Sequence, residues 1–259
     1  MQELHRGPLG ERWIALDERA HLNHTVYRIE LRSEHAQRRA VAHLGGFAKA
    51  QPPHTLSVDQ YALDDARGLW IATPYTGSHD GLLTLDQLIR MKGGRLGVTE
   101  SLRALGHLLA ASSAGKRNGL LHGALGGHEV LVDRHGSLLI ELYGLNAAVR
   151  GLDESNDDAA RDEVLSIAGL AYQALTGLDA SVSFIEPSRV CRKLDRGWDE
   201  WFARAMDPTA GFDTSAEAID ALPDGAADRD RAVAPSEGQP RRGVLRRLRL
   251  AVWADTNKS

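Results

Sequence analysis

The stretch Gly119–Leu145, GLLHGALGGHEVLVDRHGSLLIELYGL, decides how the rest of the chain is read. Leu120 and Leu121 lead into His122 and a glycine-rich turn. Val130, Leu131 and Val132 make a short strand rich in β-branched residues, and Leu138–Leu142 is its apolar return. Asp133-Arg134-His135-Gly136 between them is a hairpin turn, with glycine available where the backbone needs a positive φ. Tyr143-Gly144 then breaks the returning strand.

This order resembles the catalytic segment of protein kinases. That family carries His-Arg-Asp, then Leu-Lys-Pro-x-Asn, a two-strand hairpin and Asp-Phe-Gly. Laid on without a gap, His122 and Leu125 take the His and Leu places, and Tyr143 and Gly144 the Phe and Gly places. Ala124 stands where the resemblance puts a catalytic Asp, and Gly126 where it puts a Lys. Glu129 stands in place of a metal-binding Asn, and Leu142 in place of a metal-binding Asp. The resemblance implies a two-lobed α+β fold, with a small antiparallel β-rich lobe and a larger, mostly helical one. It also implies that the loop has lost its chemistry, as in a pseudokinase.

At 259 residues the chain is long enough for one two-lobed domain. Apolar residues make up 42% and charged residues 25%, the balance of an ordinary globular protein. A net charge of −4 argues against a nucleic-acid partner. The single cysteine, Cys191, allows no internal disulfide and suits a reducing cytoplasm. The first residues, MQELHRGPLGER, hold no apolar signal core, and no apolar run approaches the roughly 20 residues of a membrane helix. The expected location is cytoplasmic, at most on a membrane surface.

Residues 1–75 read as the reduced small lobe. Arg12–Leu16 and Thr25–Ile29 are strand-like, with Asp17–Asn23 as the polar turn between them. The resemblance puts a glycine-rich phosphate loop ahead of them. Here only Gly7 and Gly10 are present, and Pro8 removes a donor. Ile29 takes the place of the family's strand Lys, with Arg28 one residue off and on the opposite face. Arg28 is therefore a phosphate ligand or a solvated, salt-bridged arginine. Ser33–Phe47 has helical spacing, an N-cap at Ser33 and a stop at Gly45-Gly46; its Glu34 suits the helix dipole. Leu56–Leu63 and Gly68–Tyr75 read as the last two strands, joined by a turn at Asp64–Arg67. The resemblance puts a nucleotide base against the connector that follows, so Pro74 and Tyr75 are candidates with Arg28 for nucleotide contact.

Residues 76–222 read as the large lobe. Leu83–Gly93 starts at the N-cap Thr84, and Val98–Gly119 repeats apolar residues at helical period. Asn146–Glu163 is too short for a kinase activation segment, and its acids from Asp153 to Asp158 read as a solvated loop. Glu163–Gly177 resembles the central helix of the large kinase lobe, with Glu163 in place of an Asp and with Ser166, Tyr172, Thr176 and Gly177 matching. Gly197–Pro208 and Phe212–Leu222 resemble the last two helices of bacterial serine/threonine kinase domains. There the family pairs an Arg before the Phe with a distant Glu; here Gly211 precedes Phe212 and that Glu is absent. Losing both ends leaves no unpaired charge.

Residues 223–240, rich in Asp, Ala, Pro and Gly, read as a flexible linker. Residues 241–259 form a basic amphipathic tail, with Leu245, Leu248, Val252 and Trp253 on one stripe and Arg246, Arg247 and Arg249 mostly off it. Four fates suit such a tail: packing on its own domain, fraying in solvent, a partner's groove, or an anionic membrane. Arg246, Arg247, Leu248, Arg249 and Trp253 are the contact candidates. The histidines lack the spacing of a metal site. His122 is expected to hold its loop through hydrogen bonds, as its family counterpart does. Phosphoryl transfer depends on positioning and charge neutralisation by Lys and Mg²⁺, so neither catalysis nor an ATP–Mg²⁺ cofactor is expected. A scaffold or regulator with a protein partner is the first reading. The alternatives are an atypical serine/threonine kinase using Glu129 or Glu141, a nucleotide-binding sensor, or a membrane-peripheral adaptor.

Overall fold

The computed structural model describes residues 2–223 except 8, 66, 79, 80, 153 and 154. Pro8, most of the linker and the whole tail lie outside the described residues. A five-stranded antiparallel sheet forms first, in the order β1-β2-β3-β5-β4. Its strands are β1 (Gln2–Gly7), β2 (Gly10–Asp17), β3 (Leu22–Glu30), β4 (Gln60–Leu63) and β5 (Gly68–Pro74). Strand alternation sends Thr25, Tyr27 and Ile29 inward and leaves Val26 and Arg28 facing out. On the outer face Trp13 and Trp70 stack at 5.7 Å.

Helix α1 (Glu34–Ala50) lies between β3 and β4. Ser33 caps it by accepting from Ala36 N at 3.1 Å. The helix does not stop at Gly45-Gly46. Leu44 and Phe47, on either side of the pair, are both buried, and that burial outweighs the roughly 1 kcal/mol that each glycine costs a helix. The strand expected from Leu56 is only β4. Leu56 instead donates its N–H to Ile140 O at 2.9 Å, and Ile140 donates to His54 O at 2.9 Å. The sheet lobe is thus sewn to the hairpin of the helical lobe.

The helical lobe begins with β6 (Leu83–Thr84) and α2 (Leu85–Met91), whose cap Thr84 exchanges hydrogen bonds with Gln87. α3 (Val98–Arg117) leads to a 3₁₀ turn at Gly127–Glu129 and the hairpin β7 (Val130–Val132) and β8 (Leu138–Ile140). β6, β7 and β8 form a second, small sheet. The returning strand ends two residues earlier than the apolar run suggests. α4 (Leu145–Arg150) follows at once, a helix not foreseen in the sequence. α5 (Asp157–Thr176) begins six residues before the expected Glu163. Asn156 caps it and Asp157 and Asp158 sit in its first turn, where acids suit the positive end of the dipole. Part of the acidic run is therefore a helix start rather than a loop. α6 (Pro187–Val190), α7 (Gly197–Ala205) and α8 (Ser215–Asp220) complete the lobe.

Two cores result. The larger lies between α3, α5, α7 and the hairpin, around Leu105, Leu108, Val130, Ile140, Ile167, Tyr172 and Phe202. The smaller lies between α1 and the five-stranded sheet, and Leu142 and Leu145 of the helical lobe are part of it. The turn after β8 therefore plugs one lobe into the other.

Candidate functional site

The site is the junction of the Leu121–Glu129 loop, the Glu141–Gly144 turn and the inner face of the sheet. Glu163 on α5 organises the loop. One of its oxygens accepts from His122 N at 3.0 Å and Gly123 N at 3.2 Å; the other accepts from Tyr143 OH at 2.8 Å. Ser166, one turn on, accepts from Leu125 N at 2.8 Å. The loop backbone is thus held by α5 side chains. The imidazole of His122, expected in that role, does not play it: its Nδ1 is buried without a hydrogen-bond partner. Its ring rests against Tyr143, centroids 5.3 Å apart.

The second carboxylate is Glu141. Arg12 Nη1 donates to its two oxygens at 2.8 and 3.2 Å, and Tyr27 OH donates at 2.7 Å. Arg12 and Tyr27 are cross-strand partners on β2 and β3, so the sheet register aims both at one point. The Glu141 side chain is 1% exposed and that of Arg12 10%. Burial and the neighbouring Glu141 charge push the Tyr27 phenol well above its ordinary value. Burial and Glu163 do the same to Tyr143. Both phenols remain protonated donors.

Leu142 follows with φ 46°, a left-handed conformation that costs a non-glycine residue about 1 kcal/mol. That twist lets Glu141 and Leu142 both turn inward, the first to Arg12 and the second into the small-lobe core. Gly144, at φ 75°, has no room for a side chain: a Cβ would lie 2.7 Å from both the His43 ring and Leu121 O. His43 on α1 donates from Nε2 to Tyr143 O at 2.8 Å, and burial pushes its imidazole below the ordinary value. Arg39, one turn earlier, donates to the carbonyls of Ala148 and Val149 at 3.0 and 2.6 Å. α1 therefore grips both the turn and α4.

Against known proteins, no family model and no curated protein matches the chain. Solved structures do. The Mycobacterium tuberculosis PknI kinase domain aligns with TM-score 0.64 at 20% identity, covering 85% of this chain and 92% of that one. A cysteine-to-alanine variant of the same domain aligns with TM-score 0.65 at 18% identity, over 90% and 94%. A double variant of it gives TM-score 0.66 at 19% identity, over 85% and 92%. The chain has the protein-kinase fold.

Within that kinase fold the candidate residues fall as follows. Ala124 is at the exposed tip of the loop. Gly126 donates its N–H to Glu129 at 2.8 Å, so Glu129 caps its own 3₁₀ turn. A side chain on Gly126 would strike the His128 ring. A cleft of about 150 Å³ lies beside them, lined by His122, Ala124, Glu129, Asn146 and Arg150 among others. Ile29 is buried in the small core. Arg28 stands on the outer face, 3.6 Å from Glu30 and 5.7 Å from the Trp70 ring centre. Pro74 pairs with His24 at the end of β5. Tyr75 closes over the connector by donating to Ser78 O at 2.8 Å. Among the described residues no group of three or more His, Cys, Asp or Glu could hold a metal ion. No helix there is long and apolar enough to cross a membrane. The residues that sequence reasoning missed are Arg39 and His43 on α1, which carried no signal in the sequence, and the pair Arg12 and Tyr27. The only signal for that pair was that Glu141, in an otherwise apolar run, needs a buried partner.

Proposed function

We propose that this kinase-fold chain is a catalytically inactive pseudokinase that serves as a protein-binding scaffold or regulator. The observation that carries the reading is the Arg12–Tyr27–Glu141 cluster. A metal-bound nucleotide in a kinase cleft needs free carboxylates on the cation and free cations on the phosphates. Glu141, next to the place of the metal-binding Asp, spends both oxygens on Arg12 and Tyr27. Glu129 spends one on Gly126 N. Ala124 has no group to accept a proton, and Leu142 is core. These residues do not fit an ATP–Mg²⁺ group, and no reaction step is assigned through one. The protein partner acts on a body whose two lobes are already fixed together. A phosphotransfer assay with a generic protein substrate, on the wild type and on Glu129→Ala and Glu141→Ala, tests this. The expected result is background transfer in all three. Transfer by the wild type that either substitution abolishes would establish an atypical serine/threonine kinase instead.

A further inference from the structure

We infer that the apolar loop Ala180–Ile185 of the large lobe is the docking surface for the chain's own basic tail, residues 241–259. Within four residues Val182, Phe184 and Ile185 are 82%, 37% and 39% exposed. The loop is nevertheless fixed. Tyr172 OH donates to Ile185 O and accepts from Ile185 N, both at 2.9 Å, and its ring stacks on Phe184 at 5.4 Å. A rigid loop that holds three apolar side chains in water is preorganised for a cover.

The occupant follows from where the described chain ends and from charge. Pro223 packs on Gly197, where a Cβ would lie 3.3 Å from it. Gly197 opens α7, whose Asp199 accepts from Ser188 N at 2.8 Å, three residues past Ile185. The tail is therefore tethered beside the loop. The 17 residues 224–240 span on average about 23 Å if they behave as a flexible coil, enough to return to it. Residues 1–223 carry 23 Lys and Arg against 30 Asp and Glu, a net charge of −7. Residues 241–259 carry six against one, a net charge of +5. The acidic body attracts its own tail and opposes approach to an anionic bilayer. The stretch just after the loop, Glu186–Arg196, carries four basic residues against two acidic ones, with Glu186 paired to Arg189, so the attraction comes from the body as a whole and not from this rim. Long-range charge keeps the tail close, and the stripe of Leu245, Leu248, Val252 and Trp253 supplies the apolar contact. Tethering raises its effective concentration to the millimolar range, so a weak contact suffices.

Hydrogen exchange of residues 178–187 in the full chain tests the inference. Leu248→Asp, and separately Arg246→Glu with Arg247→Glu, should speed exchange of this loop about tenfold and leave α5 unchanged. A photo-cross-linker on Cys191, the chain's one cysteine, should capture tail residues 245–253 within the same molecule. Unchanged exchange in both variants would overturn the proposal, with or without a cross-link. Protection that appears only with phosphatidylglycerol vesicles would make a membrane the occupant and overturn it. Protection that grows with protein concentration would make a second copy the occupant and overturn it equally.

Discussion

Two buried carboxylates meet at the junction of the lobes, and they are held in different ways. Glu163 is satisfied by two backbone N–H groups and a phenol, all within its own lobe. Glu141 is satisfied by a guanidinium and a phenol from the opposite lobe. The first fixes the shape of a loop, and backbone donors serve it whatever side chains the loop carries. The second uses buried side chains from β2 and β3, so it depends on how the two lobes are joined. Framework and cluster are therefore separable: one fixes the loop within its own lobe, and the other joins the two lobes, where the proposed reading has it take the place of a ligand.

Substitutions can break this comparison. Glu163→Ala should cost most, about 4–5 kcal/mol, because it strands two amides and the Tyr143 hydroxyl in the interior. A drop in Tm with faster exchange at His122–Leu125 would register it. Glu141→Ala should cost about 3–4 kcal/mol by taking the carboxylate away from the buried Arg12 guanidinium and the Tyr27 hydroxyl. Here the double variant sharpens the contrast. Arg12→Leu with Glu141→Leu should recover part of that loss, since an apolar pair can replace a buried ion pair, while the Tyr27 hydroxyl still loses its carboxylate. No such rescue is available for Glu163, two of whose partners are backbone amides.

Smaller effects come from the phenols. Tyr27→Phe and Tyr143→Phe should each cost about 1–2 kcal/mol in urea unfolding near neutral pH. Both hydroxyls titrate above their ordinary value in the fold. Their contribution is therefore complete below about pH 10 and is lost as pH rises beyond it. Each substitution should flatten the alkaline fall in stability. Equal alkaline slopes in wild type and both variants would show that the phenols are not tied to the carboxylates. On the acid side His43 is held below its ordinary value and stays neutral. Its contribution is present above about pH 6.5 and fades as pH falls. His43→Gln should reduce that fade slightly.

Much of this framework is legible in the sequence because it is local. The turn at Asp133–Gly136, the cap at Thr84 and the periodic run of α3 depend on neighbours a few residues apart. The likeness of Glu163–Gly177 to a kinase helix marks the element that holds the loop. What was not legible depends on distant contacts. α1 runs through Gly45-Gly46 because Leu44 and Phe47 are buried by other elements. Leu142 reads as one more strand residue, whereas its positive φ and its place in the small core follow from both lobes closing on it. Glu141 looks in sequence like a carboxylate free to take a metal. Its actual partners lie 129 and 114 residues away, and only the register of β2 on β3 brings them together.

The central claim is that the cleft is filled by the protein's own side chains. A thermal-shift titration with millimolar ATP, alone and with Mg²⁺ or Mn²⁺, tests it most directly, because a ligand that binds only the folded state must raise Tm. A filled cleft predicts no shift under any of these conditions. A metal-dependent rise in Tm that Glu129→Ala or Glu141→Ala removes would contradict it, and so would a rise without metal, which would make the chain a nucleotide sensor.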